Sequence, residues 1–208
     1  MSIESVRRSP RRVVPGAILL LAPLAACASL PGPGPAPAAR PLGFGPNLDL
    51  LVGVRQLDEA DFAPIEDQTV FGVQLDSSIP GAPLGWEVGF SYSSEDDTIG
   101  SLAFEASLLE LYGGLRKDFE TGSPVRPYLG AGVSLIEVDV DASSGGMGGS
   151  ESDTSPGLYV HGGVRVDVSD TIHIGLDARA VLATDFEIGG IGFDADHEQL
   201  AFLIGFSL

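Results

Sequence analysis

The last nine residues of the chain, 200–208, read LAFLIGFSL. Their side chains alternate between a uniformly apolar face and a face of mostly small residues. A period of two is the strand period, because successive side chains of a β-strand point to opposite faces. The segment therefore predicts a strand with one apolar face, formed by Leu200, Phe202, Ile204, Phe206 and Leu208.

The same alternation recurs upstream. In residues 171–184 an apolar face opposes His173, Asp177 and Arg179, and residues 156–168 repeat the pattern. A chain with 28 glycines, 15 prolines and 19% charged residues suits such a β-protein better than a helical one. Five weaker alternating segments bring the predicted total to eight strands: 47–58, 68–76, 85–94, 107–119 and 126–140.

One of these segments changes face midway. In residues 126–140 the apolar positions are odd-numbered up to Leu135 and even-numbered from Ile136 onward. An extra residue in one strand of a pair would restore the face. We therefore predict a β-bulge near Leu135 or Ile136.

The connections between the strands alternate in length. Short turns at 77–84, 120–125 and 169–170 alternate with longer loops at 59–67, 95–105, 141–155 and 185–196. An even strand count with short turns on one side is typical of outer-membrane barrels, whose short turns and termini face the periplasm. The predicted fold is an all-β, eight-stranded antiparallel up-and-down transmembrane β-barrel over residues 47–208.

The period of two alone does not distinguish between two kinds of β-barrel. A soluble lipocalin-like barrel would turn its apolar face inward, whereas a membrane barrel turns it outward. The polar face mixes isolated charges with many glycines, which suits a narrow interior better than a solvated exterior. Because buried charges are tolerable only in pairs, we predict an ion-pair network that fills the lumen. Its members are Arg55, Glu87, Glu110, Arg116, His161, Arg165, Asp167, His173, Asp177 and Arg179.

The N-terminal region reads as an export signal. Four arginines at 7–12 precede an apolar run at 13–24, which is too short to span a bilayer. Residues 1–26 are therefore predicted to be a signal peptide, and 27–46, rich in proline and glycine, a periplasmic tether. Cys27 is the only cysteine, so an internal disulfide is impossible. Leu24-Ala25-Ala26-Cys27 resembles the lipobox of lipoproteins, which implies lipidation of Cys27; ordinary cleavage with an incidental cysteine is the alternative.

Two motifs carry a family resemblance. Residues 126–133, RPYLGAGV, are similar to a strand opening common in the small OmpA/OmpX-like outer-membrane β-barrel superfamily. The aromatic alternation of the last strand is similar to the signal read by the barrel-insertion machinery, although Leu208 stands where family members usually end in Phe or Trp. The resemblance covers 47–208 and implies the fold, the outer membrane and contact with its lipid and lipopolysaccharide, as a monomer.

Candidate chemistry is sparse. Some small outer-membrane barrels modify lipid A, so His161, His173 and Asp177 are candidates for acyl transfer, but no recognisable serine motif accompanies them. Three carboxylates near the last loop form a candidate site for Ca²⁺ or Mg²⁺ beside His197: Asp194, Asp196 and Glu198. No other cofactor is predicted.

The charge distribution is the strongest functional asymmetry. The formal net charge is -18, and the predicted outward loops hold many carboxylates and no Lys or Arg. Such acidity disfavours nucleic acid as a partner, since the protein and the phosphate backbone are both negatively charged and repel each other. We expect a non-enzymatic structural or interaction barrel whose acidic loops bind divalent cations or surface partners; a solvating acidic shell is the plainer reading of those loops. A narrow passive pore is the second hypothesis, and a lipid-modifying enzyme the third.

Overall fold

The computed structural model describes residues 45–57, 67–99, 102–144, 147–182, 184–188 and 191–208. The predicted signal peptide, Cys27 and the tether up to 44 lie outside these residues. Within the described ranges no helix has the length and hydropathy needed to cross a bilayer. The strands are β1 (Asn47–Leu57), β2 (Asp67–Ser78), β3 (Gly85–Ile99), β4 (Leu102–Asp118), β5 (Val125–Ser144), β6 (Met147–Asp167), β7 (Ile172–Leu182), β8 (Phe186–Ile188), β9 (Ile191–Phe193) and β10 (His197–Ser207).

Eight of these strands form a closed antiparallel barrel, and β8 and β9 form a separate two-stranded hairpin. Each barrel strand pairs with its neighbours in sequence, and β10 pairs with both β7 and β1. The closing ladder runs without interruption from Asn47 opposite Ser207 to Leu57 opposite His197. Closure leaves no unpaired strand edge around this ring. The predicted eight-stranded up-and-down barrel is confirmed.

The two ends of the barrel differ. We call the end that holds Asn47, Ser207 and the connections 79–84, 119–124 and 168–171 the turn end, and the opposite end the loop end. Gly81 and Gly122, in two of the turn-end connections, have φ angles of 77° and 67°. These lie in the left-handed region that residues with a Cβ rarely adopt, which fixes glycine at both positions.

Within the apolar band, the apolar face of the barrel strands points outward. In β10 the inward positions are buried, whereas Leu200, Phe202 and Ile204 are 54%, 46% and 38% exposed. The soluble lipocalin-like alternative required this face to be inside, and it is wrong. The outward surface is a continuous apolar band that also includes Val54, Phe71, Phe90, Leu111, Leu129, Val160 and Leu176.

Four strands extend well beyond this band at the loop end. β5 and β6 have 20 and 21 residues, about twice the 9–11 residues that a transmembrane strand needs. The predicted long loops at 95–105 and 141–155 are therefore wrong, since strand structure continues to Ile99 and Ser144 and resumes at Leu102 and Met147. The alternation of apolar and polar residues does not mark these strand extensions, because their outward positions are polar.

The predicted bulge in β5 is also wrong. Leu135 and Ile136 pair with Leu111 and Glu110 on β4 in an unbroken register. The change of apolar face has another cause. Leu135 is the last outward residue of the apolar band, and Ile136, which points inward, is fully buried in an apolar cluster at the loop end. Beyond the band the exterior is polar and the interior apolar. Apolar residues of β5 therefore change from the outward to the inward positions, while the strand continues in the same register.

Candidate functional site

The lumen holds three groups of charged side chains, one above the other. In the group nearest the turn end, Arg165 contacts both Asp49 and Asp76. Arg116 Nη1 lies 3.4 Å from Asp76 Oδ1, and His173 Nε2 lies 2.7 Å from Asp49 Oδ1. All five side chains are at most 3% exposed. Because the five residues come from five different strands, the group ties the wall together around its circumference.

The middle group is centred on His161. Its Nδ1 lies 2.8 Å from Asp177 Oδ2, and its Nε2 lies 2.9 Å from Glu87 Oε2. Two tyrosines reinforce the carboxylates: Tyr128 donates to Asp177 at 2.7 Å, and Tyr159 donates to Glu87 at 2.6 Å. The imidazole is therefore held between two carboxylates, each with a second donor.

The third group surrounds Glu110 of β4. Its two carboxylate oxygens pair with Arg55 at 3.0 Å and with Arg179 at 3.1 Å. Arg179 also lies over the ring of Tyr112, 3.6 Å from its centroid, which is a cation–π geometry. Arg55 donates further to Ser91 at 2.6 Å, so hydrogen bonds supplement the ion pair.

The buried charges of the described lumen nearly cancel. Arg55, Arg116, Arg165 and Arg179 stand against Asp49, Asp76, Glu87, Glu110 and Asp177. One further positive charge balances the set. A histidine can donate from both ring nitrogens only as an imidazolium, and His161 faces a carboxylate at each nitrogen. His161 is therefore the group placed to carry the fifth positive charge.

An apolar cluster closes the loop end above the charged groups. Phe186 of β8 is 1% exposed and Ala195 is fully buried, so the segment after β7 folds back over the barrel mouth. We call this cluster the loop-end cap. Its members are Leu57, Leu108, Tyr112, Ile136, Val138, Tyr159, Val181, Phe186 and Ala195.

The hairpin that supplies Phe186 is fastened to β6 by polar contacts. The Asp185 amide donates to Ser155 Oγ at 2.9 Å, and the Glu187 amide donates to Asp153 Oδ2 at 2.8 Å. The amide donors of Glu187 and Thr154 hold the pKa of Asp153 below its usual range. The cap is thus fixed both by packing and by a carboxylate outside the apolar band.

The structure assembles nine of the ten predicted lumen residues as described above. The tenth, Asp167, lies at the turn-end rim, where it pairs with Arg126 at 2.6 Å and is 35% exposed. The predicted network left out the three lumen tyrosines, Tyr112, Tyr128 and Tyr159, because it was assembled from arginine, histidine and carboxylate side chains alone. Their positions match the inward phase of their strands, and that phase was the available signal.

The acyl-transfer candidates have carboxylate partners. His161 bonds Asp177 and Glu87, whereas His173 bonds Asp49. Among the described residues neither histidine is hydrogen-bonded to a serine. Among the residues that the structure describes, these histidines therefore lack the serine hydroxyl partner of an acyl-transfer relay.

The candidate cation ligands at the end of the last loop lie in different environments. Asp196 accepts hydrogen bonds from the amide and hydroxyl of Thr184 at 3.0 and 2.9 Å. His197 is buried and its Nδ1 lies 2.9 Å from the carbonyl oxygen of Ala195, whereas Glu198 is exposed. Across the described part of the chain, no group of three or more His, Cys, Asp or Glu is arranged to hold a metal ion.

The extended strands carry a row of carboxylates on their outer face. Asp96 of β3 lies opposite Glu105 of β4, which lies opposite Asp141 of β5. All three are exposed, and like charges directly opposite each other destabilise a sheet. No Lys or Arg lies on the outer face of this region within the described residues. This acidic row is the clearest polar surface feature outside the lumen.

Comparisons with known proteins agree with this architecture. Residues 19–207 match the family model described as outer membrane protein beta-barrel domain. Among solved structures, Neisserial surface protein A is similar at 20% identity and a TM-score of 0.53, over 80% of this chain and 97% of that chain. The attachment invasion locus protein Ail of Yersinia pestis gives 12% identity and 0.53, over 79% and 97%.

OprG from Pseudomonas aeruginosa is similar at 13% identity and a TM-score of 0.52, over 79% of this chain and 96% of that chain. At these identities the likeness concerns the fold. No curated protein matches the sequence significantly.

Proposed function

Because the chain belongs to the outer membrane protein beta-barrel domain family, we propose that it serves in the outer membrane as a non-enzymatic structural and interaction barrel. One observation carries this proposal: three ion-paired groups fill the lumen, and the loop-end cap closes it. An eight-stranded barrel has an interior just wide enough to be filled by side chains. The filled interior favours a structural role over the narrow pore, and the histidines without serine partners favour it over a lipid-modifying enzyme.

We further propose that the turn end faces the periplasm. Short turns and both barrel termini lie at this end, as in outer-membrane barrels generally. The acidic row would then stand outside the cell. Labelling tests the orientation: a membrane-impermeant maleimide on intact cells should modify Ser150→Cys at the loop end and spare Ser123→Cys at the turn end. Wild type gives the background from Cys27, and the reverse labelling pattern would contradict the orientation.

The interaction surface in this proposal is the outer face of β3, β4 and β5. Its row of opposed carboxylates is repulsive, so divalent cations that bind there would stabilise the extended sheet and bridge it to anionic lipopolysaccharide or to a surface partner. The carboxylates would move together when the cation binds, since no preformed metal site is found among the described residues. Ca²⁺ and Mg²⁺ prefer oxygen ligands of this kind.

Two measurements test the proposed function. Planar-bilayer recording of the purified protein should show no steady conductance, and a stable open channel would favour the pore instead. Amide exchange of β3 to β5 beyond the apolar band should slow with millimolar Ca²⁺. The slowing should be lost in Glu105→Gln and kept in the turn-end control Glu120→Gln. Equal exchange with and without Ca²⁺ would leave the acidic row as a solvating surface and remove the cation from the proposal.

A further inference from the structure

One cation stands on the outer surface of the barrel. Of the Lys and Arg residues that the structure describes, four are buried in the lumen and Arg126 pairs with Asp167 at the turn-end rim. Lys117 of β4 is the remaining one. It points outward, since its neighbour Arg116 is buried inside, and it is half-buried. In the described part of the chain, no carboxylate lies within ion-pair distance of its ammonium group.

Lys117 lies at the turn-end margin of the apolar band. It is opposite Leu129 on β5 and lies along the chain between the outward residues Leu115 and Phe119. These three are 54%, 54% and 46% exposed. A lysine in such a position can lay its aliphatic stem along apolar surface and extend its ammonium towards lipid headgroups. The surface around Lys117 is thus continuous with the outward apolar band.

A groove of about 110 Å³ opens beside Lys117, between the β2–β3 and β4–β5 connections. One wall is apolar and exposed, formed by Ile79, Leu84 and Phe119. The rest of the lining includes charged side chains of both signs. Arg126 pairs with Asp167, and Asp118, which also lines the groove, pairs with Arg116 at 3.2 Å. Lys117 and the exposed Glu120 remain as one positive and one negative charge, and within the described residues neither forms an ion pair.

We propose that this groove binds the headgroup of a zwitterionic glycerophospholipid that carries a primary ammonium group. Lys117 binds the phosphate, Glu120 binds the ammonium, and an acyl chain follows Phe119 and Leu129 along the apolar band. Charge complementarity and continuity with the membrane-facing surface both select this occupant. An anionic headgroup without an ammonium would satisfy Lys117 and place no partner at Glu120.

Placement of this lipid in the inner leaflet rests on the proposed periplasmic orientation of the turn end. Binding itself does not, because a nanodisc presents the same lipids to both ends. The two ideas therefore fail separately. Reversed maleimide labelling would overturn the orientation and leave the lipid site, whereas absence of lipid retention would overturn the site and leave the orientation.

The test is native mass spectrometry of the full chain, released from nanodiscs with equal amounts of phosphatidylethanolamine and phosphatidylglycerol. We expect preferential retention of phosphatidylethanolamine, a reduction of at least about fivefold in Lys117→Gln, and unchanged retention in the outward loop-end control Glu137→Gln. Glu120→Gln should retain lipid but lose the preference between the two headgroups. Circular dichroism and thermal melts confirm that each variant is folded.

Three results would overturn the proposal. They are retention without headgroup preference in the wild type, retention unaffected by Lys117→Gln, and displacement of the lipid by 10 mM inorganic phosphate. The last result would identify a simple phosphate site. A preference for phosphatidylglycerol would be a fourth such result, because it excludes the role given to Glu120.

Discussion

Arg55 of β1 and Glu110 of β4 form an ion pair across the lumen, with 3.0 Å between Nη2 and Oε2 and both side chains fully buried. The two strands are separated in the barrel by β2 and β3. The pair therefore links distant parts of the wall through the interior. Because Arg179 shares the same carboxylate at 3.1 Å, Glu110 is the anion on which two buried cations depend.

Replacement of Glu110 by glutamine should destabilise the barrel strongly. The side chain keeps its shape, but two buried guanidinium groups lose their counter-charge, and the loss of one partner of a buried ion pair costs about 3–5 kcal/mol. Urea unfolding in lipid vesicles measures the change in the free energy of unfolding. Glu137→Gln, at an exposed outward position on β5, is the control and should change it by less than about 0.5 kcal/mol. Equal effects of the two substitutions would contradict the role given to Glu110.

His161 should carry a proton on both ring nitrogens at neutral pH. The four buried arginines leave one of the five buried carboxylates unbalanced, and His161 faces Asp177 and Glu87 with its two nitrogens. Nitrogen NMR of the folded protein should show two protonated-type ring signals for His161. The His161→Gln variant identifies these signals by their absence. One protonated and one bare nitrogen in wild type would show that His161 does not carry the fifth positive charge.

How far the sequence predicts this architecture depends on where each residue lies. In β7, His173, Asp177 and Arg179 alternate with apolar residues that contact lipid, so the period reveals both the strand and its inward face. In β5 the pattern breaks at Ile136, since lipid is replaced by water outside and by the loop-end cap inside. A rule that assigns apolar residues to the exterior holds only within the membrane and fails beyond it.

Other features of the site depend on contacts between distant strands. The sequence predicted that Glu110 and Arg55 lie in the lumen, but their pairing follows from the shear of the closed barrel, which periodicity does not encode. Phe186 was assigned to a loop because a three-residue strand such as β8 is too short for a periodic signal. Close packing adds constraints that are visible only in three dimensions: a Cβ on Gly89 would approach the Tyr112 hydroxyl to 2.5 Å.

Phe186→Ala should release the loop-end cap while the barrel stays closed. Removal of a buried phenyl ring costs about 3–5 kcal/mol, which exceeds what a short hairpin held by few hydrogen bonds can supply. Hydrogen exchange of the β8–β9 amides should accelerate, and a protease should cleave this hairpin faster. Conductance should remain absent, because the three charged groups still fill the lumen beneath.

The control for Phe186 is Phe90→Ala, at an outward position that is 47% exposed. It should leave exchange in the hairpin unchanged. A steady conductance that appears only in Phe186→Ala would mean that the cap, and not the charged lumen, is the barrier to ions.

The attachment of the hairpin to β6 should depend on pH through Asp153. Its carboxylate accepts the Glu187 amide at 2.8 Å and the Thr154 amide at 2.8 Å. These donors favour the charged form, so the pKa in the folded protein lies below the ordinary value of 3.8. A carboxyl group with a depressed pKa stabilises the folded arrangement above its unfolded pKa, and this contribution disappears as the pH falls through the folded pKa. The attachment should therefore be complete at pH 5 and weaken only below about pH 4.

Amide NMR of the full chain measures this dependence directly. The Glu187 amide signal should move upfield on acidification together with the Asp153 carboxyl carbon, with one shared midpoint below 3.8. In Asp153→Asn the Glu187 amide signal should not shift with pH in this range. In the control Asp139→Asn, on the neighbouring strand β5, the pH-dependent shift of the Glu187 amide should be unchanged. A midpoint above 3.8 would mean that the two amides do not stabilise the Asp153 carboxylate, and the attachment of the hairpin to β6 would then not depend on its charge.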